Sequence, residues 1–400
     1  MSNPPTAEMF AGEQLKLSAF YPRAKVLNVR NAWASWNGYK FANYYYEPEY
    51  EYFCIRNQCA TYDICAMQKY SIRGPDAETM LNRMVTRDIT KFGSDRVGYT
   101  VWCTDAGRLI DDGTIFKFAD DNYMLTCGAP MTAWLAKSAF GFDVEVKDIT
   151  DELAGLSLQG PTSCAVLKKM GLAGIETAKP FDIRYFDFHG DRLMVSRTGF
   201  TGDLGYELWI DPALGVELWD DLYAAGADYG IQPFGEEATN MARLEAAFIM
   251  PGMEFNEALQ TVHFEHDQTP FELDLGWLVD FKKPHFSGRQ ALLEEHRRGP
   301  KYTLTKLDIE GNRPAEDAHI YANKRCTKEV GYVTSAMWSP AVKANIALAM
   351  IRTEAIDGPL WAEIYYDKEL RQYSRVARCT RKTKPFWTPA RARATPPADY

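Results

Sequence analysis

One stretch constrains this chain more than any other: Ser196-Arg197-Thr198-Gly199-Phe200-Thr201-Gly202-Asp203-Leu204-Gly205-Tyr206-Glu207-Leu208-Trp209-Ile210. Three glycines within seven residues demand backbone angles that side-chained residues avoid. Directly after them, Tyr206, Leu208 and Ile210 alternate with Glu207 and Trp209, the period of a β-strand. A tight loop feeding a strand that begins with a carboxylate sets one Glu against a ligand. An ordinary hairpin with a surface Glu has the same spacing.

The 400 residues, 46% of them hydrophobic, suffice for the cores of two or three domains. A formal net charge of −9 argues against nucleic acid or an anionic membrane surface as partner. The best apolar run, Ile346 to Ile351, falls far short of the roughly 18 residues of a membrane span. Met1-Ser2-Asn3-Pro4-Pro5 has neither the basic nor the apolar region of a secretory signal. The eight cysteines are scattered without a C-x-x-C pair, the pattern of reduced, mostly buried thiols in a cytoplasmic protein. His263-Phe264-Glu265-His266 has an i,i+3 spacing but lacks partners at ligand distance, so no metal is expected. No Walker loop occurs, and Gly199 to Gly205 does not open a helix as a dinucleotide fingerprint would.

The expected class is α+β. Residues 1–30 form an extension of little periodicity, and 31–285 a principal region of two intertwined subdomains. An echo supports duplicated halves. Ser71-Ile72-Arg73-Gly74-Pro75-Asp76 and Ser157-Leu158-Gln159-Gly160-Pro161-Thr162 each read as strand, Gly-Pro turn, then a helix capped by Asp or Ser/Thr. Val216, Trp219, Leu222 and Tyr223 mark an amphipathic helix, and Gly288 to His296 a helical connector. Within 286–387, the alternating runs Thr303–Ile309, Glu329–Ser335 and Leu360–Tyr366 indicate a small antiparallel barrel or sandwich. Residues 388–400, rich in Pro and Ala, are expected to be a disordered tail.

Several motifs, in one order along residues 50 to 350, resemble the glycine-cleavage T-protein (aminomethyltransferase) family. The glycine segment resembles its R-T-G-[FY]-T-G-[DE]-x-G-[FY]-E. Asp63-Ile64-Cys65-Ala66-Met67 stands where the family has D-x-S-H-M, and Tyr99-Thr100 with Gly107-Arg108-Leu109-Ile110-Asp111-Asp112 resembles its Y-(S/T)…G-G-(I/V)-x-D-D. Ala242-Arg243-Leu244-Glu245-Ala246, Thr269-Pro270-Phe271-Glu272 with Leu275-Gly276-Trp277, Phe286-Ser287-Gly288-Arg289 and Val333 to Pro340 complete the series. The resemblance implies three domains around a central folate cavity, with a C-terminal β-barrel.

It also implies the site. Glu207 would hold the pterin of tetrahydrofolate, with Phe200, Tyr206, Tyr99, Met67 and Arg243 as further cofactor contacts. Asp112 would be the catalytic carboxylate, Asp111 beside it. A lone Asp-Asp after a turn is ordinarily solvated, but here Leu109-Ile110 precedes and Thr114-Ile115-Phe116 follows, so one carboxylate points inward on a strand. A carboxylate near N5 of the folate supplies proton transfer or electrostatic stabilisation. From Trp33 to Phe53, ten of 21 residues are aromatic, and Tyr44, Tyr45 and Tyr46 are the candidate substrate-facing wall.

Two departures bear on the donor. Ala66 replaces the family His, and Thr239 stands where T-proteins carry an Arg before the Asp, here Asn240. This looks more like the folate domains of dimethylglycine and sarcosine oxidising enzymes and of demethylases. The expected activity is methyl transfer from a small N-, O- or S-methylated compound to tetrahydrofolate, with no lipoylated carrier protein. A true aminomethyltransferase is the alternative. A non-catalytic folate-binding protein is a third reading, against which stands the absence of K-G-C-Y-x-G-Q-E between Ala246 and Glu257.

Overall fold

A computed structural model describes residues 15–261 and 267–397. Its centre is built from two sheets of one design. In the first, strand Gln68–Arg73 leads to helix Ala77–Met84 and then to the meander Arg96–Cys103, Leu109–Ala119, Asn122–Cys127, whose last strand returns beside the first. In the second, strand Ala154–Gln159 leads to helix Ser163–Lys169 and the meander Ile183–Phe188, Asp191–Ser196, Gly205–Ile210, closed in the same way. Each half lends across: Ala60–Asp63 joins the second sheet, and Glu145–Asp148 the first.

The two Gly-Pro turns explain why the echo survives in the sequence. Gly74 and Gly160 have φ of 139° and 124°, and a Cβ at either would lie 2.5 Å from a carbonyl oxygen, of Asp143 or Gln58. Only glycine fits. The expected helix caps are corrected: neither Asp76 nor Thr162 caps with its side chain, and the Asp76 carboxylate instead accepts from the amide of Asp143 at 2.9 Å.

Each sheet buries one face under its helices. Ile72, Met80, Leu81, Met84 and Ile110 form one such core; Leu156, Val166, Tyr206, Leu208, Ile210, Trp219 and Leu222 form the other. The opposite faces meet each other. There Phe116 of the first sheet stands edge-on to Trp209 of the second, centroids 5.7 Å apart and planes at 85°. An edge-to-face pair of this kind adds about 0.5–1.5 kcal/mol beyond its burial.

The third part is a closed barrel, ordered Tyr302–Ile309, Ala344–Arg352, Glu329–Ser339, His319–Tyr321, Leu360–Lys368, Arg371–Lys382. Closure removes the exposed edges that a sandwich would leave. Helix Arg289–Arg298 sits at the junction of body and barrel: Leu292 packs with Val101 and Leu109 of the body and with Leu304 and Leu348 of the barrel. At the other end, helix Tyr21–Leu27 docks on helix Gly215–Gly226 through Phe20 against Trp219 and Arg23 against Asp220.

The tail is the clearest correction. Residues 388–397 run along the surface but are anchored to the body: the Arg391 guanidinium grips the Asp203 carboxylate at 2.6 and 2.9 Å, and Arg197 donates to the carbonyl of Ala394 at 2.6 Å. Pro and Ala supply no apolar periodicity, but two arginine–acceptor contacts order the backbone without it. No helix among the described residues is long and apolar enough to cross a membrane.

Candidate functional site

Strand parity decides what faces the space between the sheets. On Gly205–Ile210, Tyr206, Leu208 and Ile210 point into the helix-side core, while Glu207 and Trp209 point to the other sheet. Pairing register extends this into a row across the strands: Tyr62, Ser157, Glu207, Ser196. Glu207 is half-buried. The Thr198 hydroxyl donates to it at 2.5 Å, and the Ser196 hydroxyl lies 2.7 Å from that of Thr198. Burial pushes its carboxyl up to about 7 against the pull of those hydroxyls. Its partners are hydroxyls, with no ion pair among the described residues. Such a carboxylate retains capacity to accept from a ligand.

The glycine loop that feeds this strand is shaped by a buried amide. Gln159, fully buried, donates to the Ser157 hydroxyl at 2.9 Å and the Thr198 carbonyl at 3.2 Å, and accepts from the Thr201 hydroxyl at 2.8 Å. A Cβ at Gly199 or Gly205 would overlap its carboxamide. Only Gly202, at φ 69°, needs the left-handed region. Two of the three glycines are therefore required by close approach, and the expectation of special angles at all three is corrected. On the outer side, Phe200 stacks on Phe248 with centroids 5.6 Å apart.

Asp112 shares strand parity with Phe116 and so faces the same inter-sheet space. The Tyr99 hydroxyl donates to it at 2.7 Å. Burial pushes the Asp112 carboxyl up to about 6, the Tyr99 bond working the other way. Asp111 is fully buried and takes up backbone amides, of Asp112 at 2.8 Å and Ala129 at 3.4 Å. Burial and the neighbouring Asp112 charge raise it well above the carboxylate range.

The remaining predicted residues divide. Tyr99 and Met67 are half-buried, Met67 against the inter-sheet cluster. Tyr206 is not on that face: its ring is fully enclosed in the helix-side core. Arg243 is also corrected as a cofactor contact. It is fully buried and saturated by Asn240 at 2.8 Å, Glu254 at 2.7 Å, the Phe248 carbonyl at 3.1 Å and Ser335 at 2.9 Å. It bolts its helix to the barrel. Tyr45 and Tyr46 pack in a separate small cluster with Ala24, Ala42 and Trp33, while a bulge after Ala42 sets Tyr44 opposite Ala32.

From that aromatic region, Phe41 and Tyr52 are buried in the inter-sheet cluster, and Trp36 packs against it partly exposed. The Trp36 indole N–H bonds the Gly128 carbonyl at 2.9 Å, next to the Ala129 amide that Asp111 holds. Ser157, Ser196, Gln159 and Trp36 escaped sequence reasoning, because register and a side chain's face are set by pairing at a distance. His263 to His266 lie outside the described residues, and among those described no group of His, Cys, Asp or Glu is arranged to hold a metal ion.

Two like α+β halves, each setting a half-buried carboxylate on the face that meets the other half and joined to a closed barrel, define a T-protein-like fold. Comparison with known proteins agrees. The GCVT N-terminal domain matches residues 23–283, and the glycine cleavage T-protein C-terminal barrel domain matches 303–376. An aminomethyltransferase of Caldanaerobacter subterraneus subsp. tengcongensis is 32% identical over 309 residues, 75% of this chain and 79% of that protein. A trimethylamine-oxide aldolase of Ruegeria pomeroyi is 35% identical over 318 residues, 76% of this chain but 39% of that protein. The crystal structure of glycine cleavage system aminomethyltransferase T from Bartonella henselae superposes with a TM-score of 0.79 at 22% identity, covering 94% of this chain and 98% of that one. The chain belongs to the glycine-cleavage T-protein family, whose members are folate-dependent, and is an enzyme of aminomethyltransferase type.

The raised carboxyl of Glu207 has a consequence for stability. Between its ordinary value of 4.5 and about 7, the folded chain holds a proton that the unfolded chain releases, so stability falls as pH rises through that window. Glu207→Gln, with no charge to bury, should match the wild type near pH 4 and exceed it by roughly 1–3 kcal/mol near pH 8 in urea titrations. A gap independent of pH would contradict the burial described.

Gly205→Ala should cost about 1–3 kcal/mol by overpacking against Gln159. Adding Gln159→Ser should recover part of that loss in a double-mutant cycle.

Proposed function

We propose that this protein moves a methyl group from a free, small N-, O- or S-methylated compound to tetrahydrofolate. The observation that carries the reading is the pair of half-buried carboxylates, Glu207 and Asp112, each on the face of its sheet that meets the other and each without a cationic partner. The residues fit the implied cofactor. The unpaired acceptor capacity of Glu207 suits the adjacent amino and ring N–H donors of a pterin, and half-buried Met67 and Trp36 suit its flat faces. When bound, tetrahydrofolate would supply the nucleophilic ring nitrogen that takes up one-carbon units.

The chain's own contribution is positional and electrostatic. Asp112, with its carboxyl near 6, is mostly ionised at neutral pH yet basic enough to accept a proton. The Tyr99 hydroxyl fixes its orientation, and Val101 stands opposite it on the neighbouring strand. Asp111, engaged with backbone amides, holds the strand and the Gly128–Ala129 turn in place.

The donor reading rests on what the site lacks. Thr239 is buried with its hydroxyl donating to the Gly235 carbonyl at 2.9 Å, and Ala66 offers no polar side chain. Two polar groups that would serve aminomethyl chemistry in T-proteins are thus missing. Similarity to a protein named trimethylamine-oxide aldolase supports a donor other than a carrier-bound arm. The second reading, aminomethyl transfer from a lipoylated carrier, is favoured by the names of several relatives.

Glu207→Ala should weaken tetrahydrofolate binding by about 2–3 kcal/mol in calorimetry, the scale of hydrogen bonds to a charged group. Asp112→Asn should bind folate normally and lose roughly 100-fold or more in turnover. A screen of free methylated donors, with folate products read by mass, tests the donor. Exchange with lipoylated carrier and ammonia, alongside no turnover of any free donor, would put the second reading in place of the first.

A further inference from the structure

The glycine loop is held at both ends by residues of the segment Trp387 to Ala394. Asp203, its carboxylate fully enclosed, takes the Arg391 guanidinium two-pronged at 2.6 and 2.9 Å and the Trp387 indole N–H at 3.3 Å. Its own loop amide, that of Leu204, donates to the same carboxylate at 2.9 Å. Six residues earlier, Arg197 reaches the Ala394 carbonyl at 2.6 Å and the carbonyls of Arg391 and Ala392 at 3.4 Å. Between these anchors lies Thr198, whose hydroxyl is the donor to Glu207. Arg391 also donates to the carbonyl of Arg56 at 3.0 Å, and the Trp387 amide to the carbonyl of Glu245 at 2.9 Å.

We infer that Trp387 to Ala394 form a strap that positions the Glu207 loop for folate, with Arg391 as its positioning residue. The inference rests on the folate reading of Glu207. Two-pronged Arg–carboxylate geometry fixes direction as well as distance, so the strap sets where the loop between Arg197 and Asp203 lies. Tail docking and ligand binding then share one arrangement of the loop. Each must favour the other by the same factor, because coupling between two binding equilibria is reciprocal. Arg391 and Arg393 lie inside the strap and are cleavage points for trypsin, which makes docking measurable apart from activity.

The test uses the full-length protein and tetrahydrofolate. Arg391→Ala should weaken folate binding about tenfold, with KM for folate rising and kcat little changed, and Arg391→Lys should restore part of the affinity. Saturating tetrahydrofolate should slow tryptic cleavage after Arg391 and Arg393 in the wild type by a similar factor, about tenfold. In Glu207→Ala, the same folate concentration should give no protection. If wild-type cleavage is equally fast with and without folate, or Arg391→Ala binds folate as the wild type does, the strap has no part in the site. If the wild type itself binds no tetrahydrofolate, the folate reading falls and the strap inference with it.

Discussion

The guanidinium of Arg56 stands where two helices, the glycine loop and the C-terminal segment meet. It is almost wholly buried on helix Pro48–Asn57 and pairs with Glu245 of helix Glu236–Glu245 at 2.7 Å and with Asp203 of the glycine loop at 3.3 Å. It donates as well to the carbonyls of Thr201 at 2.9 Å and Ala242 at 3.1 Å, and lies against the rings of Tyr52 and Trp387. Glu245 in turn accepts from Tyr52 at 2.6 Å and from Ser339 of the barrel. A buried cluster of this kind adds little net stability over a well-packed apolar one, yet losing one member strands the others at a cost of about 3–5 kcal/mol. What it supplies is geometry: two helices, the loop, a barrel strand and the C-terminus meet in one arrangement.

Acids in this fold differ in their partners and in their exposure. Glu245, Glu254 and Asp203 each meet an arginine and hold elements together. Glu51, Asp63 and Asp111 are buried and satisfied by amide or hydroxyl donors. Glu207 and Asp112 meet only hydroxyl donors, are half-buried rather than enclosed, and are pushed upward by burial. Carboxylates left short of positive charge are a burden on folding that a purely structural role does not require, and they gather where chemistry does.

Much of this was legible in the chain. The Gly-Pro echo reported the duplicated halves because the steric demand at Gly74 and Gly160 is local, and the alternation after Gly205 gave the strand directly. Legibility ended where distant residues choose the outcome. Arg243 sits in a stretch that reads the same whether its guanidinium meets a ligand or, as here, Glu254 and Ser335. The density of rings at Tyr44 to Tyr46 said nothing of the face they take, and it is Phe41, Tyr52 and Trp36 that join the inter-sheet cluster. The tail looked unstructured because its composition lacks periodicity, while its order comes from Asp203, 188 positions away.

The serines of barrel strand Glu329–Ser339 give the architecture a further meaning. Ser335 donates to Glu254 and Ser339 to Glu245, both carboxylates buried in the body. The barrel is thus less a module appended to an enzyme than the missing wall of its interior. Recombination that exchanged this barrel for another would have to carry both hydroxyls at matching depth, or leave two acids short of a donor and Arg243 short of an acceptor. The body and its barrel are therefore bound to be inherited as one unit, with the bulge between Val333 and Ser335 setting the phase in which the hydroxyls arrive.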